Sequence, residues 1–191
     1  KEVVRQFRGL RLIQQEPWEC LISFLCATYN NIPAIRHMIL NLCGRFGNRI
    51  RCENETFYAF PEPRALAKAS LRELRLCKLG FRAERISETA DTISRDKFDL
   101  EALKKMVYET AKRRLLTLPG VGPKVADCVL LFSLDKLEAF PIDVWMKRIV
   151  LDYYSEYFDA DFVTRVKMKE SLSKREYQTI YDFGRRYFGE H

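Results

Sequence analysis

Apolar residues recur every three or four positions along most of this chain, which is the spacing of one face of an α-helix. The spacing is clearest in residues 18–25, 35–46, 86–93, 100–115 and 125–132. Ser70 with Glu73 and Ser173 with Glu176 form S-x-x-E capping boxes, which mark helix starts. Strand signals are few and irregular. The pattern therefore predicts an all-α fold of about nine helices, including one long helix over 100–115.

A polar stretch over residues 47–64 interrupts the helical pattern. It begins at Gly47, which is typical of a helix end, and contains Pro61 and Pro63. We interpret this stretch as a boundary between two helical lobes of one core that covers residues 1–191.

Composition excludes several classes of protein. The 191 residues are 47% hydrophobic, which is enough for a packed core, and no apolar run approaches the ~18 residues of a membrane span. The six cysteines contain no C-x-x-C pair, and only two histidines accompany them, so we expect no metal site built from these side chains. We expect buried thiols in a reducing compartment instead. The net charge of +7 permits a polyanionic partner without requiring one.

The segment Leu118–Ala126 reads Leu-Pro-Gly-Val-Gly-Pro-Lys-Val-Ala and lies between two helical patterns. Gly120 and Gly122 can adopt positive φ and bring bare backbone close to a partner. Pro123 suits a first helical turn, whose free N–H groups form an anion site suited to phosphate. A tight helix–helix turn without a ligand explains the glycines equally well.

Lys124 and Asp143 add a chemical signal to this turn. A lysine in the first turn of a helix opposes the macrodipole, and this favours the neutral, nucleophilic amine. Asp143 suits a helix N-cap and would hold a carboxylate able to stabilise a cation-like transition state. Cys128 lies one helical turn after Lys124 and therefore on the same face. The alternatives are a solvated lysine, an ordinary cap and a small buried hydrophobe.

Together, the Leu118–Cys128 segment and Pro141-Ile-Asp-Val resemble the helix–hairpin–helix glycosylase superfamily. Within it, the match is closest to the 8-oxoguanine DNA glycosylase/AP lyases. Supporting segments lie upstream, at residues 7–24, at the Asn-rich stretch 26–32 and at residues 78–83. The resemblance spans roughly residues 7–150.

The resemblance implies base flipping into a pocket between the lobes, attack of Lys124 on the sugar C1′ carbon, and stabilisation by Asp143. An imine then permits β-elimination. Cys128 matches the residue against one face of the oxidised base. The backbone at Gly120 and Gly122 would hold a phosphate, with a structural cation at hairpin carbonyls such as Leu118, and the chemistry itself needs no cofactor.

The DNA-contacting segments depart from the family pattern. Tyr29 stands where an asparagine fills the gap left by the flipped base, ahead of Asn30 and Asn31. Ala34 replaces an arginine that reads the opposite cytosine. We therefore expect weak discrimination of the opposite base.

The other residues expected to contact DNA or the base match the family pattern to different extents. Phe81 replaces a tyrosine that wedges beside the opposite base, and Arg82 is retained. Trp145 stands where a phosphate-contacting histidine is common. Asp182 aligns with a glutamine that reads the guanine edge, although a surface role in pairing with Arg185 or Arg186 explains it as well.

The aromatic partner on the other face of the base has no secure match. Phe183 and Tyr187 are the candidates in the C-terminal segment.

By resemblance, the partner is duplex DNA containing oxidised guanine. The expected compartment is the cytoplasm or nucleoid of a prokaryote, or the nucleus of a eukaryote. A monomer without membrane contact is expected.

Eukaryotic members carry a β-sheet domain before the segment that matches Phe7, and we expect this chain to be the helical core without it. The alternatives are a non-catalytic helix–hairpin–helix DNA-binding module, a glycosylase of the same fold for another damaged base, and an all-α interaction scaffold.

Overall fold

The computed structural model describes residues 5–95 and 98–189, and ten α-helices form most of this part of the chain. The helices are α1 Pro17–Cys26, α2 Ile32–Phe46, α3 Pro63–Lys68, α4 Leu71–Leu76, α5 Arg82–Ser94, α6 Tyr108–Leu115, α7 Pro123–Ser133, α8 Val144–Tyr153, α9 Ala160–Lys167 and α10 Lys174–Phe188. Short 3₁₀ turns lie at Glu101–Lys105 and Ser155–Tyr157. The prediction of a mostly helical fold is confirmed, with one helix more than expected.

Helix ends follow the local signals in the sequence. A proline lies in the first turn of α1, α2, α3 and α7, where the missing N–H costs nothing. Both capping boxes form, with Ser70 and Glu73 at α4 and with Ser173 and Glu176 at α10. These ends are local hydrogen-bonding events, so a single sequence is enough to predict them.

The stretch over 47–64 contains a β-hairpin, which the few strand signals of the sequence did not predict. Strand β1, Arg49–Cys52, pairs antiparallel with β2, Glu55–Tyr58. Every residue of both strands is exposed, so neither face needs the alternating apolar pattern that signals a half-buried strand. Gly47 ends α2 as predicted, and a Cβ there would lie 1.9 Å from the carbonyl oxygen of Ala59.

The long helix predicted over 100–115 is also wrong, because the chain is extended at Met106 and Val107. Leu103 is buried before this break, whereas Val107 is exposed and Tyr108 is buried in its place. The break turns Tyr108 toward the core, where its hydroxyl meets a buried carboxylate on α7. Tertiary hydrogen bonding thus overrides the apolar spacing at this point.

The core is one continuous cluster that runs from Trp18 in α1 to Phe183 in α10. Helix α7 lies at its centre, packs against α1 and α6, and is buried on most sides as its apolar sequence predicts. The lobe boundary in 47–64 stays a prediction. None of the described helices combines the length and apolarity that crossing a membrane requires.

Candidate active site

The turn between α6 and α7 depends on one of its two glycines. Gly120 has φ of +77°, and a Cβ on it would lie 2.7 Å from Cδ of Arg85 in α5. Gly120 therefore provides both a left-handed conformation and a close approach between two elements. Gly122 is extended with φ of −95°, so the expectation of positive φ there is wrong. A Cβ added at Gly122 would point into open space.

Gly122 is the N-cap of α7, and no side chain caps this helix end. Pro123 has no N–H, and the first intrahelical bond of the turn runs from the N–H of Ala126 to the carbonyl of Gly122. The amides of Lys124 and Val125 therefore have no acceptor within the helix. This leaves two N–H groups and the positive end of a helix dipole available to an anion.

Lys124 is half-buried on the first turn of α7. Its Nζ lies 4.9 Å from the centroid of the Phe24 ring, and Phe24 is stacked on Phe132 with 5.7 Å between centroids. None of the ion pairs in the described residues includes Lys124. The amine thus lies against an aromatic face and keeps its hydrogen-bonding capacity for a ligand.

Asp143 is exposed and caps α8, as its position after a proline-bearing loop predicts. Its Oδ1 accepts a hydrogen bond from the N–H of Met146 at 2.8 Å. A carboxylate in this role has a fixed position and still presents its second oxygen to solvent. Both the cap and the electrostatic role are therefore compatible with the geometry.

Cys128 is buried on α7, one helical turn after Lys124. Burial raises the pKa of its thiol to about 12, while the charge of Lys124 lowers it and the charge of Asp143 raises it. Both charges therefore act on one sulfur atom, and the thiol stays protonated at neutral pH. A protonated thiol is a poor nucleophile, so Cys128 is a poor candidate for that role.

A polar network behind this cluster was missed by the sequence analysis. The carboxylate of Asp127 is fully buried in α7 and accepts from the Tyr108 hydroxyl at 2.6 Å, the Tyr177 hydroxyl at 2.7 Å and Lys112 Nζ at 2.9 Å. The Tyr177 hydroxyl also accepts from the N–H of Ile142 at 3.2 Å. The available signal was an aspartate inside an otherwise apolar helix, because a buried carboxylate requires partners.

The Asn-rich loop presents one exposed ring on a constrained backbone. Tyr29 has φ of +50°, and its side chain is 72% exposed. Asn31 caps α2 by accepting from the N–H of Ala34 at 2.9 Å, and Asn30 donates to the carbonyl of Cys26 at 3.2 Å. The two asparagines therefore hold the loop, and Tyr29 is the residue free to contact a partner.

Arg82 faces inward and is only 7% exposed, although it was expected at the DNA surface. Its guanidinium donates to the carbonyls of Thr28, Tyr29 and Leu79. Burial lowers the pKa of Arg82. Phe81 is exposed, with the Arg82 guanidinium 4.4 Å from its ring centroid. This geometry makes Arg82 a support of the Tyr29 backbone, and its direct contact with DNA stays a prediction.

Asp182 lies on the exposed face of α10 and accepts from the side chain of Gln178 at 2.7 Å. Arg186 bonds to its backbone carbonyl, and Arg185 bonds to the carbonyl of Glu138 instead. The role of Asp182 in reading guanine stays a prediction.

The two aromatic candidates of α10 lie in a cluster of rings that covers the end of this helix. Phe183 is buried there, and the ring of Tyr187 lies 5.3 Å from it, centroid to centroid. Trp145, at the first turn of α8, is exposed beneath the guanidinium of Arg148. Contact of Phe183 or Tyr187 with a flipped base stays a prediction.

Two cavities of about 290 and 440 Å³ lie elsewhere, and neither is lined by Lys124, Cys128 or Asp143. Within the described ranges, no cluster of three or more His, Cys, Asp or Glu side chains is arranged to hold a metal ion. The candidate site is therefore defined by its charged groups rather than by an enclosed cavity.

Solved structures with this fold are helix–hairpin–helix glycosylases. The apo 8-oxoguanine glycosylase/lyase of Clostridium acetobutylicum superposes with a TM-score of 0.83 at 32% identity, over 99% of this chain and 61% of that one. A complex of endonuclease III with DNA matches at a TM-score of 0.57 and 19% identity, which supports the fold alone. The fold and the lysine-bearing hairpin thus define a chain of the helix–hairpin–helix glycosylase class.

Curated relatives narrow this class. A probable N-glycosylase/DNA lyase of Methanothermobacter thermautotrophicus is 33% identical over 96% of this chain and 64% of its own length. The N-glycosylase/DNA lyase of Saccharomyces cerevisiae is 39% identical over 85% of this chain and 46% of its own length. The chain is similar to these N-glycosylase/DNA lyases and spans about half to two thirds of their length. No protein-family profile matches it.

Proposed function

We propose that this chain removes 8-oxoguanine from duplex DNA and then cleaves the strand at the abasic site. The observation that carries the proposal is that Lys124, on the first turn of α7, and Asp143, the N-cap of α8, both act electrostatically on the Cys128 thiol. A nucleophilic amine and a fixed carboxylate are what a glycosylase with lyase activity requires. Similarity to these relatives supports the same reaction, because they are named N-glycosylase/DNA lyase.

In the reaction that we propose, the flipped nucleotide places its C1′ carbon near Lys124. The neutral amine bonds to C1′ while the glycosidic bond breaks, and the base leaves with the bonding electron pair and takes up a proton. Asp143 stabilises the positive charge that develops on the sugar. The sugar ring then opens, and the amine nitrogen becomes a protonated imine.

The lyase step follows from that imine. Loss of a proton from C2′ pushes electrons toward the imine and expels the 3′ phosphate, which breaks the strand. Water then hydrolyses the imine and releases Lys124 as a free amine. Cys128 takes no part as a nucleophile, since its thiol stays protonated, and we propose that it packs against one face of the base.

We also propose that the α7 N-terminus binds a backbone phosphate through its free amides. A structural cation would bind this turn at the carbonyls of Leu118 and Gly120. The Leu118 carbonyl already accepts from the N–H of Val121 at 3.1 Å, and the Pro119 carbonyl accepts from Thr89 at 3.1 Å. Each carbonyl has a second lone pair available for a cation.

The proposed partner is DNA, so the proposed compartment is the nucleoid or the nucleus. Stable pairing with a second copy is not part of the proposal, because the amine and carboxylate come from one chain.

Borohydride trapping tests this function, because reduction of the imine leaves a stable covalent adduct. The substrates are duplexes with one 8-oxoguanine opposite each of the four bases, and a duplex with a pre-formed abasic site. The wild-type chain should form an adduct, Lys124→Gln should form none, and the matched control Lys105→Gln on an exposed 3₁₀ turn should behave as wild type. Similar rates across the four opposite bases are expected, since Ala34 provides no charged donor.

The other outcomes favour the other interpretations. Binding without any adduct would favour a non-catalytic DNA-binding module. An adduct on abasic DNA alone would indicate a lyase whose base pocket accepts another lesion. Absence of salt-dependent DNA binding would favour the interaction scaffold, because phosphate contacts weaken as salt rises.

A further inference from the structure

The two proposed reactive groups lie on different helices, and one oxygen atom connects those helices. The Tyr177 hydroxyl, on α10, donates to Asp127 Oδ2 at 2.7 Å and accepts from the N–H of Ile142 at 3.2 Å. Asp127 lies in α7, three residues after Lys124, and Ile142 directly precedes Asp143. The path from one reactive residue to the other therefore runs through a single phenol oxygen.

The direction of both hydrogen bonds is fixed by their chemistry. A carboxylate only accepts, and an amide N–H only donates, so the phenol proton must point to Asp127 and the oxygen lone pair to Ile142. Burial, followed by the negative charge of Asp127, raises the pKa of Tyr177. The phenol thus stays protonated under all ordinary conditions and keeps both bonds.

Asp127 is itself held from two further sides. The Tyr108 hydroxyl and Lys112 Nζ, both on α6, donate to it at 2.6 and 2.9 Å. Lys112 also lies 4.1 Å from the centroid of the Tyr181 ring. The carboxylate therefore cannot rotate toward another partner, and its hydrogen bond to Tyr177 has a defined position.

Such a buried ionic cluster contributes little to the free energy of unfolding, because desolvation offsets much of the attraction between its charges. Apolar side chains of similar volume would pack this space as well. Geometry is what the polar cluster adds, since hydrogen bonds fix distance and direction more tightly than apolar contacts do. The groups it connects are the two whose separation matters for attack at C1′.

We propose that the Tyr177 hydroxyl is a positioning group that sets the distance between Lys124 and Asp143. The inference rests on the proposed function. Tyr177 acts on the reaction only through Asp127 and Ile142, and it contacts neither DNA nor the reacting atoms. A displacement of about 1 Å in a reacting group can lower a rate by about 100-fold without weakening binding.

The test compares Tyr177→Phe with Tyr181→Phe. Both residues are buried on α10 one turn apart, and both variants lose one hydroxyl. Among the described hydrogen bonds, only those of the Tyr177 hydroxyl connect α7 to the residue before Asp143. Each variant is measured for its affinity for an abasic-site duplex and, at saturating enzyme, for its single-turnover rate of borohydride trapping.

We expect Tyr177→Phe to lower the single-turnover rate by about 10- to 100-fold while the dissociation constant changes less than about 3-fold. Tyr181→Phe should change both quantities less than about 3-fold. Equal rates for the two variants, or a loss of affinity that accounts for the loss of rate, would overturn the proposal. If wild type forms no adduct on any duplex, the proposed function fails instead, and the two failures are thus distinguishable.

Amide exchange provides a measurement without DNA or catalysis. The N–H of Ile142 should exchange slowly in wild type and in Tyr181→Phe, and faster in Tyr177→Phe. Exchange of this amide at the rate of an unprotected one in wild type would overturn the proposal even if Tyr177→Phe does not fold.

Discussion

Two regions of this molecule are held in place by different kinds of hydrogen bond network. At the α7–α8 end, side chains from α6 and α10 converge on the buried Asp127, three residues after Lys124. At the Tyr29 loop, one buried guanidinium, Arg82, holds backbone carbonyls and leaves the Tyr29 ring free. The difference fits the proposed roles, because reacting groups require fixed distances, whereas a residue that fills a gap in DNA requires a fixed backbone and an accessible ring.

The strongest test of the α7–α8 end is Asp143→Asn. Asparagine caps a helix as well as aspartate, so the free energy of unfolding should change little. Loss of the negative charge should lower the excision rate by about 100-fold or more, because preorganised charge contributes that much to comparable reactions. Single-turnover excision and urea unfolding measure the two effects.

Asp143→Ala is the matched control for the cap. It should show the same loss of excision rate together with a loss of about 1 kcal/mol of stability. If Asp143→Asn excises at the wild-type rate, Asp143 is only a helix cap.

At the loop, the largest expected effect is on folding. Arg82→Ala removes the side-chain donors to the carbonyls of Thr28 and Tyr29, while the Leu79 carbonyl keeps its bond from the backbone N–H of residue 82. We therefore expect a loss of about 2–3 kcal/mol in the free energy of unfolding. The exposed neighbour Arg85→Ala should lose less than about 0.5 kcal/mol. Urea denaturation of both variants decides this, and equal losses would mean that the carbonyl contacts of Arg82 contribute little.

A smaller and pH-dependent effect is expected at Glu176, which precedes Tyr177 and caps α10. The side-chain bond from Lys169, followed by the backbone N–H of Ser173, lowers the pKa of Glu176 to about 2. An unfolded glutamate titrates near 4.3, so this stabilisation is present above about pH 4.3 and is lost as pH falls through about 2. Glu176→Gln should lower stability by about 1–3 kcal/mol at pH 7 and converge with wild type near pH 2.

Glu73, in the other capping box, is the control for that measurement. Its side chain is 43% exposed, so solvent screens its charge and Glu73→Gln should have the weaker pH dependence. A difference between wild type and Glu176→Gln that does not change with pH would contradict the assignment.

The smallest expected effect is a gain in stability at Tyr29. Its positive φ is costly for an aromatic residue and better tolerated by asparagine, and its exposed ring loses little packing when removed. Tyr29→Asn should therefore raise the free energy of unfolding by about 0.5 kcal/mol. The control is Tyr153→Asn, at an equally exposed tyrosine in a helix, and its free energy of unfolding should not rise. An equal rise in the control would show that backbone strain at Tyr29 is not the cause.

The sequence predicted best those features whose causes lie within a few residues. Both capping boxes, the glycine at the end of α2 and the cap by Asp143 form as expected. The capping boxes and the Asp143 cap depend on a side chain bonding to backbone three residues away. Gly47, in contrast, has an ordinary φ of −81° and is required by the close approach of the Ala59 carbonyl. The hairpin between α6 and α7 was predictable for the same reason, although only Gly120 needs a left-handed conformation.

The errors occur where distant contacts decide. Met106 and Val107 break a helix that apolar spacing favours, because Tyr108 reaches Asp127 nineteen residues away. Arg82 turns inward because it meets carbonyls more than fifty residues earlier in the chain. The exposed β-hairpin gave no signal, because neither of its faces is buried.

By itself, the sequence determined the helical class and the capped helix ends, since these follow from local spacing and local hydrogen bonding. Its resemblance to the glycosylases pointed to the pair of residues proposed to react. The tertiary structure alone decided how those residues are held. The contacts among Asp127, Tyr177 and Ile142 join segments up to 50 residues apart, and no local pattern encodes them. A buried carboxylate requires partners wherever the fold places them, and only the folded chain shows which ones it found.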